Sequence, residues 1–101
     1  MKTTDANGDP VHPGHILRSH FQALGYSNVA LASMLGLSRQ TLHDLMTARQ
    51  GITPGVALRV AKLTGTSAEL WLGLQQAHDL MLARRDLKEL LEAVPVLDEP
   101  W

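Results

Sequence analysis

Arg39, Gln40, Thr41, His43 and Asp44 carry the densest recognition chemistry of this 101-residue chain. With Ser38 and Thr47 they form the outward face of a helix predicted over about 39–48. Nearly every member can donate or accept hydrogen bonds. Arginine can grip guanine O6 and N7 together, and glutamine can do the same with adenine N6 and N7. Each such pair discriminates by about 1–3 kcal/mol. An anion at Asp44 is repelled by phosphates. It either accepts from cytosine N4, or pairs with Arg39 or Gln40 and holds their rotamers. Asn28, Ser38, Thr47 and Arg49 sit beside this face, where phosphate contacts would set register without reading sequence.

Residue pairs that suggest catalysis fail on spacing. His12, His15 and His20 cluster in sequence, but His15 and His20 are not one helical turn apart, and no His-Glu-x-x-His is present. His43 and Asp44 are neighbours, so on a helix they point about 100° apart and cannot act as base and orienter. No Gly-x-Ser-x-Gly occurs, and Gly51 and Gly55 are too sparse to cradle phosphate. The expectation is a chain with no catalytic set, no metal and no cofactor.

A polar ridge reads a duplex only if it is held outward. Asn28 to Leu35 predicts one helix, capped by Ser27 and ended by Gly36, and Ser38 caps the next. Two short helices joined almost without a loop are the layout of a helix-turn-helix, whose second helix enters the major groove N-terminus first. Ala32 is small enough for the crossing. Gly36 can take the positive φ of the turn. Leu31, Leu35, Leu37, Leu42 and Leu45 supply the inner faces, and this agreement across levels is hard to reach by accident.

Around this pair the pattern predicts a first helix at about 14–24, with Ile16, Leu17, Phe21 and Leu24 at helical spacing. A fourth helix starts with Thr53 as cap and Pro54 at its first position, and stops near Gly65. A fifth is capped by Ser67 and runs as far as Ala93, before Pro95. No alternating strand pattern appears. The expected fold is all-α: five helices, the last extended. Residues 1–10 read as a loose arm, 11–82 as the domain, and 83–101 as a helical extension and tail.

Composition sets the outer bounds. There is no cysteine, so no disulfide staples the fold, which fits a reducing cytoplasm. The first ten residues show no signal-peptide pattern, and no run approaches the roughly 20 apolar residues of a membrane span. The net charge of −1 is uninformative as a total. Its distribution is more useful. Residues 11–65 carry +4, with Arg18, Arg39, Arg49, Arg59 and Lys62 against Asp44, whereas residues 66–101 carry −4. A basic front and an acidic rear suit a protein that presents one end to phosphates.

His12-Pro-Gly-His-Ile-Leu17, Arg49-Gln-Gly-Ile-Thr53, Ala57-Leu-Arg-Val-Ala61 and Thr66-Ser-Ala-Glu-Leu-Trp-Leu-Gly-Leu-Gln75 stand in this order around the helix pair. Together they resemble the HigA-type antitoxins, a branch of the Xre/Cro-like helix-turn-helix family, over about residues 11–82. Where the family commonly has Glu, Phe and Asn, this chain has His15, Leu70 and Gly73. The resemblance implies a non-enzymatic protein that silences a RelE-like ribonuclease toxin. It also implies a homodimer that binds the double-stranded operator of its own operon. It assigns base reading to Arg39, Gln40 and their neighbours.

Past Leu70, Trp71 and Leu74, which complete a core, a second apolar stripe runs through Ala77, Leu80, Ala83 and Leu87 to Leu90 and Val94. Such surface marks a partner. The reading is a two-fold dimer seam, and the alternative is a stripe folded back on its own subunit. The end, Val96 to Trp101, sets Asp98 and Glu99 beside an aromatic, as in a docking peptide or a disordered tail. Two other functions remain open at this point: a free-standing repressor without a toxin, and an interaction module that no longer reads DNA.

Overall fold

A computed structural model describes residues 1–99. Pro100 and Trp101, and with them the aromatic end of the candidate docking peptide, lie outside the described residues. The elements are α1 (Pro13–Leu24), α2 (Asn28–Leu35), α3 (Arg39–Met46), α4 (Pro54–Thr64), α5 (Ala68–Asp86) and α6 (Lys88–Glu92). No strand occurs among the described residues, only one isolated bridge between Thr4 and Pro10. No helix there is long and apolar enough to cross a membrane.

Side-chain caps start these helices where the sequence placed them. Ser27, Ser38, Thr53 and Ser67 each accept from the backbone N–H three residues on, opening α2, α3, α4 and α5. α1 is opened by His12, whose Nδ1 accepts from the Gly14 N–H at 2.9 Å. Left-handed glycines close α1, α2 and α4. α3 stops two residues earlier than its apolar pattern suggested. The Thr47 hydroxyl donates to the His43 carbonyl, and Ala48 turns the chain at φ 61°, so both Arg49 and Gln50 N–H groups bond back to the Asp44 carbonyl.

The core gathers one face from each of the first four helices and the first turn of the fifth. Ile16, Leu17 and Phe21 meet Leu31, Ala32 and Leu35, then Leu42, Leu45 and Met46, Val56, Ala57, Val60 and Ala61, with Trp71 closing the far side. Trp71 is 2% exposed, and its indole N–H is satisfied by the Thr66 hydroxyl at 2.7 Å. Gln75 and His12 are the buried polar residues among those described, and Gln75 ties two elements together. Its Oε1 accepts from the Ile52 N–H at 2.8 Å, and its Nε2 donates to Asp79 at 3.0 Å. That amide clamps the α3–α4 loop onto α5.

Two expectations change. The single long last helix is broken: Leu87 ends α5 and starts α6, giving six helices instead of five. Neither glycine nor proline stands there, and Leu87 has no side-chain acceptor to cap α6. The loose arm is also tied down. Asp5 Oδ1 accepts from Asn7 N–H and Asp9 N–H, Gly8 takes φ 81°, and Val11 N–H bonds to the Thr3 carbonyl. His78 donates through Nδ1 to the Pro10 carbonyl at 3.0 Å, and Arg85 pairs with Asp9 at 2.6 Å. The pair is exposed and adds little by itself. The position of α5 is what fixes the arm.

Candidate nucleic-acid interface

The ridge is presented by burial on its other side. Leu42, Leu45 and Met46 are buried, so the opposite face of α3 must point outward. Ser38, Arg39, Gln40 and His43 are exposed, and Thr41, Asp44 and Thr47 are half-buried. Of the inner aliphatics, Leu31, Leu35, Leu42 and Leu45 are buried, while Leu37 packs half-buried against the core.

The turn has a support that the sequence pattern did not reveal. Arg59 of α4 donates from Nη1 to the Leu35 carbonyl at 3.0 Å and to the Gly36 carbonyl at 3.4 Å. Those oxygens belong to the end of α2, where helix carbonyls lack partners. Gly36 is at φ 68°, and any Cβ there would collide with the same guanidinium. Glycine is thus favoured by the left-handed turn, and a side chain there would also have to displace the Arg59 guanidinium from its bonds to the α2 carbonyls. Arg59 sits 24 residues from Leu35, so no local spacing could have announced it.

α1 meets α3 with equal closeness. Gly14 is buried, and a Cβ built on it would overlap the Leu45 carbonyl oxygen. The angle of the ridge is therefore set from both sides, by Gly14 at its back and Arg59 at its turn.

Hydrogen bonds along the ridge divide it into committed and available groups. Gln40 Nε2 donates to Asp44 Oδ1 at 2.8 Å. Asp44 thus holds the rotamer of Gln40 and not that of Arg39. One amide hydrogen and the carbonyl oxygen of Gln40 remain, the pair needed to grip adenine. Ser38 Oγ accepts from the Thr41 N–H and donates to Thr41 Oγ1 at 2.8 Å, which leaves the Thr41 hydrogen for a partner. The Thr47 hydroxyl hydrogen is spent on the His43 carbonyl. Thr47 is placed beside the ridge but turned inward.

Asn28 and Val29, at the head of α2, line one concavity with Arg39, Gln40 and His43. A second lies between Arg18, Gln22, Asn28, His43, Met46 and Thr47. The exposed ridge is therefore bordered by side chains of three helices, α1, α2 and α3. Arg18 and Gln22, which the sequence reading did not single out, border it from α1. Arg49 is exposed in the loop after α3.

Below the ridge, His12 faces His78 with ring centroids 5.2 Å apart and His15 at 6.0 Å. Burial, then His78 and His15, push the His12 pKa below its usual value, while Asp79 and a hydrogen bond to the Gln50 backbone oppose this. A neutral ring suits its task, because Nδ1 must stay unprotonated to accept from Gly14. Among the described residues no three His, Cys, Asp or Glu side chains come together to hold a metal.

Comparison with known proteins agrees with this geometry. The helix-turn-helix family matches residues 17–71. Virulence-associated protein I of Dichelobacter nodosus is 34% identical, over 85% of this chain and 81% of its own. An addiction-module antidote protein of the HigA family from Coxiella burnetii superposes with a TM-score of 0.82 at 32% identity, covering 92% of this chain and 99% of that one. The chain belongs to the Xre-like helix-turn-helix family, in its HigA antitoxin branch. The Pseudomonas aeruginosa antitoxin HigA, solved with the higBA promoter, is also similar, with a TM-score of 0.79 and 34% identity over 87% of this chain and 99% of its own. This HigA-type chain is thus a DNA-binding regulator of the antitoxin class.

The intended dimer residues are placed along and beyond the core. Ala77 is exposed, Leu80 is 41% and Leu87 42% exposed, and Ala83 is half-buried. The stripe is not folded back into its own core.

Proposed function

We propose that this antitoxin works in the cytoplasm as a homodimer that represses its own operon and neutralises a RelE-like ribonuclease toxin. The observation that carries the DNA half is the ridge. Arg39 and Gln40 stand exposed at the N-terminus of α3, in one concavity with Asn28. In this reading Arg39, Gln40, Thr41, His43 and Asp44 face base edges, and Asn28, Ser38 and Arg49 contact phosphates. Thr47 could reach phosphate only after its hydroxyl leaves the His43 carbonyl.

Two-fold symmetry gives the ridge its range, because paired recognition helices address half-sites roughly 34–36 Å apart. The exposed stripe of Leu80 and Leu87 supports the dimer. For the toxin half the support is the HigA likeness.

The test is a titration of the full chain against DNA from its own promoter and against scrambled DNA, across salt concentrations. Operator binding should exceed scrambled binding by at least about 10³ and weaken steeply with salt. Equal affinity for both sequences refutes the reader. Co-expression with a small basic protein encoded beside the gene tests the toxin half: growth rescue and co-purification support it, and growth arrest despite the antitoxin refutes it.

A further inference from the structure

Arg49 follows the ridge in the loop after α3, where it is exposed, and its guanidinium pairs with no carboxylate among the described residues. Where it stands depends on residues 48–52, which form no helix. Ala48 sits at φ 61°, a conformation that a residue other than glycine keeps only when its surroundings over-determine it. Gly51, two residues after Arg49, is the most permissive type of residue for the backbone. Left to itself, such a loop would relax at both points and take Arg49 with it.

Three attachments prevent this. From α3, the Asp44 carbonyl oxygen accepts from the Arg49 N–H at 2.8 Å and from the Gln50 N–H at 3.2 Å. From the cap of α1, His12 bonds to the Gln50 backbone. From α5, Gln75 Oε1 accepts from the Ile52 N–H at 2.8 Å, with both residues buried. Only this last bond lies beyond Gly51. Its amide can sit only one way round. Ile52 offers a donor and needs the oxygen. Asp79, one turn along α5, offers a carboxylate and takes the Nε2 hydrogen at 3.0 Å. Gly51 runs so close to this amide that a Cβ on it would stand 3.1 Å from the amide carbon. The loop is therefore seated on Gln75 as well as tied to it.

We infer that Gln75 is a positioning residue for DNA binding: with Asp79 it holds the loop after α3 so that Arg49 stands where it meets a phosphate beside the ridge. This rests on the ridge being a DNA reader and on Arg49 contacting phosphate. It adds a buried residue of α5 that acts on the duplex without touching it.

The test compares the salt dependence of DNA binding, which counts phosphate contacts. Gln75→Met keeps the net charge and most of the side-chain bulk, and removes both hydrogen bonds. Gln75→Glu combined with Asp79→Asn also keeps the net charge. It exchanges amide and carboxylate, so that the Ile52 N–H again meets an oxygen and the second bond is remade with its donor at position 79. Gln75→Met should weaken binding about three- to tenfold and lower the slope of log Kd against log salt by about 1, as Arg49→Ala does. Added to Arg49→Ala it should cost nothing further. The exchanged pair should restore affinity and slope. Preference among operators altered one base pair at a time should stay as in wild type, because phosphate contacts carry no sequence. Circular dichroism checks that each variant is folded. Should Gln75→Met not fold, Asp79→Ala is read against Asp79→Asn: the two have equal charge at an exposed position, and only the second keeps an acceptor for the amide, so only the first should lower the slope. A folded Gln75→Met with the wild-type slope overturns the inference. So does a loss that adds in full to that of Arg49→Ala, or one that the exchanged pair fails to reverse. Every slope is also measured on scrambled duplex, where phosphates are met without base reading. Equal affinity for operator and scrambled DNA would thus refute the specific reader and leave this inference to be decided by the slopes.

Discussion

Replacing Gly14 by alanine should destabilise this protein, although alanine is the better helix former. The methyl group would overlap the Leu45 carbonyl oxygen on one side and stand 3.0 Å from His12 Nδ1 on the other. Neither is the end of a flexible side chain. One is the backbone of α3, and the other is a cap held by its bond to the Gly14 N–H. Relief requires α1 to back away from α3 and loosen Ile16, Leu17 and Phe21 against Leu42, Leu45 and Met46. Overpacking of this kind costs about 1–3 kcal/mol. The helix preference of alanine returns at most about 1 kcal/mol. The clash therefore wins. At about 4–8 °C per kcal/mol for a domain of this size, Tm should fall by several degrees. Gly55→Ala is the matched control. Gly55 lies in the first turn of α4 with nothing within 4 Å of its absent Cβ. There the substitution should stabilise by about 0.4–1 kcal/mol through the unfolded chain. Thermal melts of both variants decide the matter. If Gly14→Ala melts at or above wild type, the close approach of α1 to α3 is not what positions the ridge.

Further outcomes follow from other contacts. Arg39→Ala should lower operator affinity by about 1–3 kcal/mol and relax one base position, measured by anisotropy against operators altered one base pair at a time. Gln75→Leu strands the buried Ile52 N–H and should cost about 1–3 kcal/mol in urea unfolding. Ala48→Gly removes an alanine from φ 61° and should raise stability by about 1 kcal/mol, with operator affinity unchanged. The lowered pKa of His12 means that the unfolded chain takes up its proton first as pH falls. Its contribution is therefore complete above about pH 6.5 and is lost as pH drops through the lowered folded value. His12→Asn keeps a capping acceptor without a titrating ring, and should flatten that part of the stability profile in urea melts from pH 7.5 to 5.

The features that could be read from the chain are those decided within one helical turn. Ser27, Ser38, Thr53 and Ser67 cap because their oxygens reach an N–H three residues on. The leucines of α2 and α3 announce their buried face by period alone. What escaped the reading is what joins distant segments. Arg59 reaches Leu35 across 24 residues, Gln75 reaches Ile52 across 23, and His78 reaches Pro10 across 68. No periodicity encodes such a bond, and each of these side chains taken alone is an ordinary surface residue of a helix. The ridge shows the same division. Its members were legible as types, but which atoms stay available depends on rotamers. Thr47 faces inward because its hydroxyl completes the end of α3, and Gln40 is steered because Asp44 lies one turn below it. Asp44 thereby acquires a role that its charge alone would not suggest. Beside phosphates an anion is a cost, yet here it fixes the amide proposed to face a base. Removing it should leave Gln40 free to turn, so that Asp44→Ala gains general affinity for DNA while losing preference at the base Gln40 faces. A variant that gained affinity with its preference intact would mean that the Gln40–Asp44 bond does not orient the reader.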